Sequence, residues 1–367
     1  MRNRVRKMFL GGNTGYGFFS FYEQLISGEN VRTYILKGGP GTGKSNFMRQ
    51  IAQQMAARAY AVEEFYCSSD SFSLDGVQFP SLGVALVDGT APHMLDPKHP
   101  GAIESVVELS TYWDEAPLKE KRQEIRKAVF RKGFFFRRAY GYLRLAKQIA
   151  DEQMAYIQEL GVLDRVGLNG VAVKLILELL PEGITTGRSV RERHLFACAI
   201  TPQGMVNHLP SLVAGLHKRV WVSGPLGAVS SIIVDALRQA AQQRGYDVEV
   251  YHNPLDPKRV DHVIIPQLGI AVCNASEPYE LALGNGDRIV NTADYLDFSQ
   301  LEPFSEEFSH LQAAFQEAMS AAIGLIQRAK EEHAYLESLY TPHMDFERLE
   351  QRRARVLAEI LELARAK

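Results

Sequence analysis

Read by the spacing of its apolar residues, the chain alternates short strand-like runs with helical ones and then settles into a long helical stretch. Thr33-Tyr-Ile-Leu36 is a compact buried-strand run, and Asn46–Ala61, free of glycine and proline, predicts the helix that follows it. Phe65-Tyr66-Cys67 and Val84-Ala-Leu-Val87 are the next strand candidates. From Ile103 to Leu180 the pattern is mostly helical, with Phe135, Ala139, Tyr142, Leu145, Ile149 and Tyr156 recurring at three- and four-residue steps or their multiples. Strands alternating with a crossover helix predict an α/β unit built on a parallel sheet, with its chemistry on the strand-to-helix loop.

The same order occurs twice. Residues 9–180 laid over 196–364 match from end to end at an offset that drifts only from 187 to 184. Gly38-Gly-Pro-Gly-Thr-Gly-Lys-Ser45 falls on Ser223-Gly-Pro-Leu-Gly-Ala-Val-Ser230. Phe79-Pro-Ser-Leu-Gly-Val-Ala-Leu-Val-Asp88 falls on Ile265-Pro-Gln-Leu-Gly-Ile-Ala-Val-Cys-Asn274. The expectation is therefore two tandem copies of one domain, at 1–186 and 187–367, each a parallel sheet flanked by helices with a long helical extension. A chain of 367 residues accommodates two such cores.

Composition narrows the setting without choosing a function. Apolar residues make up 46% and charged residues 23%, as in a globular protein rather than a disordered one. The 41 basic side chains are balanced by 43 acidic ones, so overall charge favours neither nucleic acid nor membrane as a partner. No apolar run has spanning length, the basic start at Met1–Leu10 lacks a signal-peptide core, and Cys67, Cys198 and Cys273 form no disulfide or zinc pattern. These point to a cytoplasmic chain.

The chemistry concentrates at Gly38-x-x-x-x-Gly43-Lys44-Ser45, the P-loop pattern. Glycines allow positive φ, so that the backbone N–H groups of Gly39, Gly41, Thr42, Gly43, Lys44 and Ser45, with Pro40 between them, wrap phosphate oxygens. The helix that starts there adds its positive end. Lys44 is placed to meet the β- and γ-phosphates, and the Ser45 hydroxyl to hold Mg²⁺. Asp88, closing Val84–Val87 and followed by Gly89, is the expected metal-side carboxylate at the carboxyl edge of the sheet; the alternative is a turn-forming Asp-Gly. No Glu follows Asp88, which leaves water activation to be sought at Asp70, Asp75 or His93.

Between Lys119 and Lys147, eleven Lys or Arg stand against two Glu, with aromatics interleaved. The plain reading is a solvated helix face. A sharper one makes Arg137 or Arg138 an arginine finger, and a third lets the segment hold single-stranded nucleic acid. In the second copy Gly43, Lys44 and Asp88 become Ala228, Val229 and Asn274, which reads as a degenerate site.

The stretches Gly11-Gly-Asn-Thr14, Gly38–Ser45, Asp88-Gly-Thr-Ala-Pro-His93, Arg137-Arg-Ala-Tyr140, Arg193-His-Leu-Phe196 and Thr201-Pro-Gln-Gly204 resemble an uncharacterised bacterial family of tandem P-loop ATP-binding proteins. The resemblance covers nearly the whole chain and implies ATP binding on a tandem fold. Such relatives can carry an intact second loop, from which Leu226, Ala228 and Val229 depart. The sequence thus leads to a Mg·ATP-binding protein that hydrolyses the nucleotide. The alternatives are a nucleotide or small-molecule kinase and a non-hydrolysing regulatory or nucleic-acid-binding module. Nothing in it names an acceptor, and ATP is preferred over GTP only because no Asn-Lys-x-Asp sequence is present.

Overall fold

The computed structural model describes residues 5–366 apart from 27–29, 92–93, 183–188, 277–278, 280–283 and 285. His93 and the copy boundary at 186/187 therefore lie outside the described residues. The first copy runs β1 (Val5–Phe9), β2 (Gly11–Thr14), β3 (Gly17–Ser20), α1 (Tyr22–Ile26), β4 (Arg32–Lys37), α2 (Lys44–Ala57), β5 (Val62–Tyr66), β6 (Leu74–Phe79), β7 (Val84–Asp88), β8 (Glu104–Glu108), α3 (Glu115–Glu120), α4 (Arg122–Glu159) and α5 (Arg165–Leu179). The second repeats this as β9 (Glu192–Leu195), β10 (Cys198–Thr201), β11 (Gly204–Asn207), α6 (Leu209–Val213), β12 (Lys218–Ser223), α7 (Gly227–Gln243), β13 (Val248–His252), β14 (Val260–Ile265), β15 (Ile270–Asn274), β16 (Arg288–Asn291), α8 (Ser305–Tyr340) and α9 (Phe346–Arg365).

The protein is α/β, with two six-stranded sheets of the same order: β1-β5-β6-β7-β4-β8 and β9-β13-β14-β15-β12-β16. Each sheet is mixed rather than parallel, because β6 runs antiparallel to β5 and β7, and β14 to β13 and β15. The physical cause is the length of the connections. Residues 67–73 and 80–83 are too few for a crossover helix, so each strand must turn back beside its predecessor. Inside the stretch expected to be helical, Glu104–Glu108 is strand β8, pairing parallel with β4. Its Val106-Val107 pair suits a pleated edge better than a helix.

Strand alternation distributes apolar residues over two faces. Tyr34, Leu36, Val84 and Leu86 point toward α2 and its neighbours, whereas Ile35, Ala85 and Val87 enter a second core. That second core also takes Trp221, Tyr251, Ala271 and Cys273 from the other sheet. The two sheets thus pack face to face, with helices covering each outer face. No described helix is long and apolar enough to cross a membrane.

The helices on the outer faces are exchanged between the copies. Leu168, Ala172, Leu175 and Leu179 of α5 share a core with Val229, Ile233, Leu237 and Ala241 of α7. Reciprocally, Leu349, Val356 and Ile360 of α9 pack with Phe47, Met48 and Ile51 of α2. Length explains the exchange: α4 has 38 residues, which at 1.5 Å each span roughly 57 Å and carry the chain past its own sheet. The 36-residue α8 returns antiparallel along α4, the two meeting through Ala139, Leu143, Ala146, Ala318, Ala322 and Ile326. Matching backbone bonds clasp the far ends. Asp114 N–H donates to His343 O at 2.9 Å and Asp345 N–H to Tyr112 O at 2.9 Å. In the other half Asp297 N–H donates to Val162 O at 2.8 Å and Asp164 N–H to Tyr295 O at 2.9 Å.

Where the copies meet, corresponding residues face each other. Phe9 and Phe196 exchange backbone hydrogen bonds of 2.9 and 3.0 Å. Beside them Arg6 bonds Glu63 at 2.8 Å and Glu249 at 2.5 Å, and Arg193 bonds Glu63 at 2.7 Å and approaches Glu249 at 3.6 Å. Burial pushes the Glu249 carboxyl up, but Arg6 and Arg193 outweigh it and hold it down at about 2. Burial, helped by repulsion from His194, drives His252 down to about 4, and burial drives His262 to about 4 against the opposing pull of Asp261.

Two predictions follow from this packing. Ile360→Ala, which empties a buried site at a cost of about 2–5 kcal/mol, should loosen α2, nearly the whole chain away in sequence, while leaving α7 protected. Hydrogen exchange that opened α7 first would contradict the exchange of helices. The share of stability held by His252, His262 and Glu249 should also be lost on acidification. The unfolded histidines protonate near 6.5 and the buried ones near 4, so their share is lost as pH falls through that window. The depressed Glu249 contributes stability above its unfolded value of about 4.3, and this is lost toward pH 2. Denaturant midpoints measured from pH 7 to 2 test this, and Glu249→Gln should flatten only the lower part.

Candidate functional site

The loop between β4 and α2 is built for a close approach of its backbone to a ligand. Gly41 and Gly43 have φ of 72° and 78°, a left-handed conformation that a side chain would strain. Gly43 is also the residue before the first turn of α2, which has no side-chain cap, so the N–H groups of that turn have no capping side chain. Thr42, almost fully buried, ties the loop by donating from Oγ1 to Gly39 O at 2.9 Å. Lys44 folds back over the loop, its Nζ donating to Gly38 O at 2.6 Å and Gly39 O at 3.0 Å.

Register places the carboxylate. In the parallel pairing of β4 and β7, Leu36 stands opposite Asp88, so Asp88 emerges beside the start of the loop at the carboxyl edge of the sheet. Its Oδ2 lies 3.7 Å from Lys44 Nζ, while Oδ1 accepts from Thr90 N–H at 2.8 Å and Thr90 Oγ1 at 2.5 Å. Burial raises the Asp88 pKa, Lys44 opposes this, and nearby Asp75 adds to it. Ser45 Oγ accepts from Leu74 N–H at 2.9 Å, which leaves its second lone pair for another partner. The structure thus brings Lys44 and Asp88 together, with the Ser45 hydroxyl held by the Leu74 N–H. Asp75 is buried and receives the Tyr22 hydroxyl at 2.6 Å.

The basic helix contributes differently from expectation. Arg137 and Arg138 are exposed, and at roughly 100° per residue they lie on the side of α4 turned away from Lys132. Lys132 is the α4 cation turned toward the loop: burial and then repulsion by Lys44 lower its pKa. Its Nζ is 3.5 Å from His333 Nδ1 on α8. Burial, Lys132 and Lys44 together depress His333 to about 4, leaving it neutral at physiological pH.

Helix α8 supplies further groups. Lys330 Nζ pairs with Asp70 Oδ1 at 2.8 Å, and burial of Asp70 is outweighed by Lys330 and Ser73, so its pKa falls. Glu337 has its pKa raised by burial and Asp70, with the Gly41 N–H and Lys44 opposing. A Cβ on Gly41 would sit 2.7 Å from Thr341 Oγ1 and 3.2 Å from Glu337 O. Trp113 packs against Gly39 from the other side and meets Tyr340 at a ring separation of 5.1 Å. The site is composite, with the first copy providing the loop and the second the wall over it. No sequence signal linked Lys132, Lys330, His333 and Glu337 to the loop, because the pairing of α4 with α8 puts them there.

The matching loop of the second copy has closed on itself. Among its described residues none has positive φ, because α7 begins at Gly227, earlier than the alignment with α2 requires. Ala228 is thus helical and escapes the strain expected of a Cβ at that position. Val229 is fully buried in the apolar core. Asn274 Nδ2 donates to Gly227 O at 2.9 Å, and the Thr292 hydroxyl fills the space beside Gly224.

Gly41→Ala should therefore strain the loop and push against the end of α8, lowering stability by about 1–2 kcal/mol. Gly227→Ala, in a helix, should cost far less. Thermal melts of the two variants check this, and equal losses would show that the first loop needs no left-handed residue.

Compared with protein-family models, curated proteins and solved structures, the chain gives no match.

Proposed function

We propose that this chain binds one Mg·ATP at Gly39–Ser45 and hydrolyses it, with the second copy acting as a degenerate partner domain. The observation that carries this reading is the loop itself. Two left-handed glycines precede an uncapped helix start, and Lys44 has carbonyl oxygens and Asp88 as its partners there. Backbone N–H groups turned by such glycines form an anion cradle, and the lysine ammonium supplies a point charge for the outer phosphates.

Ser45 Oγ and Asp88 offer hard oxygen donors of the kind Mg²⁺ prefers, and their placement at one edge of the sheet fits that ion. Bound there, Mg²⁺ would neutralise charge on the β- and γ-phosphate oxygens. The chain's own residues do the rest. Lys44 exchanges its contacts with Gly38 O and Gly39 O for phosphate oxygens, and Asp88 keeps that lysine oriented. Lys132 adds a second, partly buried cation on the α4 side. Trp113, Tyr340 and Thr341 close over the loop and limit water. The wall comes from the second copy, so occupancy of the loop bears directly on the α4–α8 pair.

Lys44→Ala should lower ATP affinity by roughly tenfold or more, the worth of one charge-assisted contact, in a folded protein. Asp88→Asn should damage Mg²⁺-dependent turnover more than metal-free binding. Because the Asp88 pKa is raised, the acid limb of turnover should lie above the ordinary carboxylate range near 3.9. Isothermal titration should give one nucleotide per chain. Two equivalent sites would restore the second copy as a working one, and acceptor-dependent phosphoryl transfer would replace hydrolysis by a kinase activity.

A further inference from the structure

We propose that the outward face of α4 binds single-stranded nucleic acid through Arg126, Lys127, Phe130, Phe134, Arg137 and Arg138. All six side chains are exposed, Phe130 to 66% and Phe134 to 43%. They lie opposite the stripe of Ala139, Leu143 and Ala146 that α4 turns toward α8. At roughly 100° and 1.5 Å per residue they form two adjacent rows, which Arg144 extends to a length of roughly 27 Å from Arg126. No carboxylate of α4 lies between them, although the chain as a whole carries a net charge of only −2.

The second copy provides an internal comparison. Buried Ala139, Leu143 and Ala146 correspond to Ala322, Ile326 and Ala329 of α8. In that register, an offset of 183 that is one residue shorter than the range expected from the sequence repeat, Arg126, Lys127, Phe130, Phe134, Arg137 and Arg138 become Ser309, His310, Ala313, Glu317, Ser320 and Ala321. The two helices share one fold and one partner face, so packing does not account for cations and aromatic rings on α4 alone.

The arrangement of these side chains selects the ligand. A membrane or an amphipathic partner helix requires a continuous apolar strip, whereas here cations separate the apolar groups, and Arg138 stands over the Phe134 ring at 5.8 Å. A single strand presents phosphates to the cations and flat base faces to exposed rings at the same time. Base-paired nucleic acid hides those faces and would use only the charges.

The test is fluorescence anisotropy of the full chain with labelled oligothymidine over a range of salt. Binding should weaken linearly in log–log form, by about 0.7 for each phosphate neutralised. The variant Arg137→Ala/Arg138→Ala/Arg144→Ala should lose about tenfold or more at low salt and show a flatter slope. Phe130→Ala should lose several-fold in affinity with the slope unchanged, and Phe130→Tyr should restore it. Ser320→Ala/Gln327→Ala on α8 should change nothing. The proposal is overturned by no complex at about 50 mM salt, or by the triple variant binding as the parent does. It is equally overturned if the same arginines govern flotation with phosphatidylserine vesicles while oligothymidine is ignored.

Discussion

The arrangement of this protein rests on two buried carboxylates and the two half-buried arginines that pair with them. Arg6 and Arg193 occupy corresponding places in the two copies, as do Glu63 and Glu249, and the four meet across the interface of the sheets. Removing one charge from such a cluster leaves another unpaired in an apolar surround, at a cost of about 3–5 kcal/mol. An apolar interface alone would tolerate sliding, but a quartet of ion pairs does so only by breaking several at once. The reciprocal bonds between Phe9 and Phe196 sit beside it and fix the same axis. With the sheets locked face to face, α2 and α7 are left on opposite outer faces, and each needs a cover.

The covers come from the wrong copy in sequence and the right place in space. Because α4 and α8 are longer than the sheets they leave, each delivers its terminal helix to the other half. A consequence for chemistry is that the loop at Gly38–Ser45 cannot be completed by its own copy. Its lysine, serine and carboxylate are local, but Lys330, His333, Glu337 and Thr341 reach it along α8. This gives a physical route by which anything bound at the loop bears on the helical pair.

What was legible in the sequence was short-range. Gly43, Lys44 and Ser45 are adjacent, and Asp88 closes a strand whose apolar run names its own end, so their convergence could be read from spacing and a parallel register. Strand β6 was missed because Asp75-Gly76 interrupts its apolar run; once it is placed, the short connections on either side force its antiparallel direction. Strand β8 lay hidden at the front of a helical pattern because a five-residue edge strand carries too little periodicity to stand out. Lys132 was counted among the basic residues and not distinguished from Arg137 or Arg138. Only the packing of α4 against α8 decides which cation turns inward. The likeness of the two halves was legible and the exchange of helices was not, because a sequence repeat shows only that two segments are alike, and the packing shows how far a helix reaches.

The asymmetry between the two loops follows from the same architecture. In the second copy the loop that corresponds to Gly38–Ser45 has become continuous with α7, Val229 has joined the core, and Thr292 occupies the space beside Gly224. Each change replaces a polar, strained feature by an ordinary packed one and stabilises that half. The first loop keeps its left-handed glycines and a lysine facing carbonyl oxygens, features that burial and hydrogen bonding alone would not select. Both halves share the clasp of backbone bonds made by Asp114 and Asp345 in one and Asp164 and Asp297 in the other, so the difference does not arise from the scaffold. One half supplies a wall through α8, and the other holds a loop with left-handed glycines beneath it. A loop supplied by one half and a wall supplied by the other is what that packing produces.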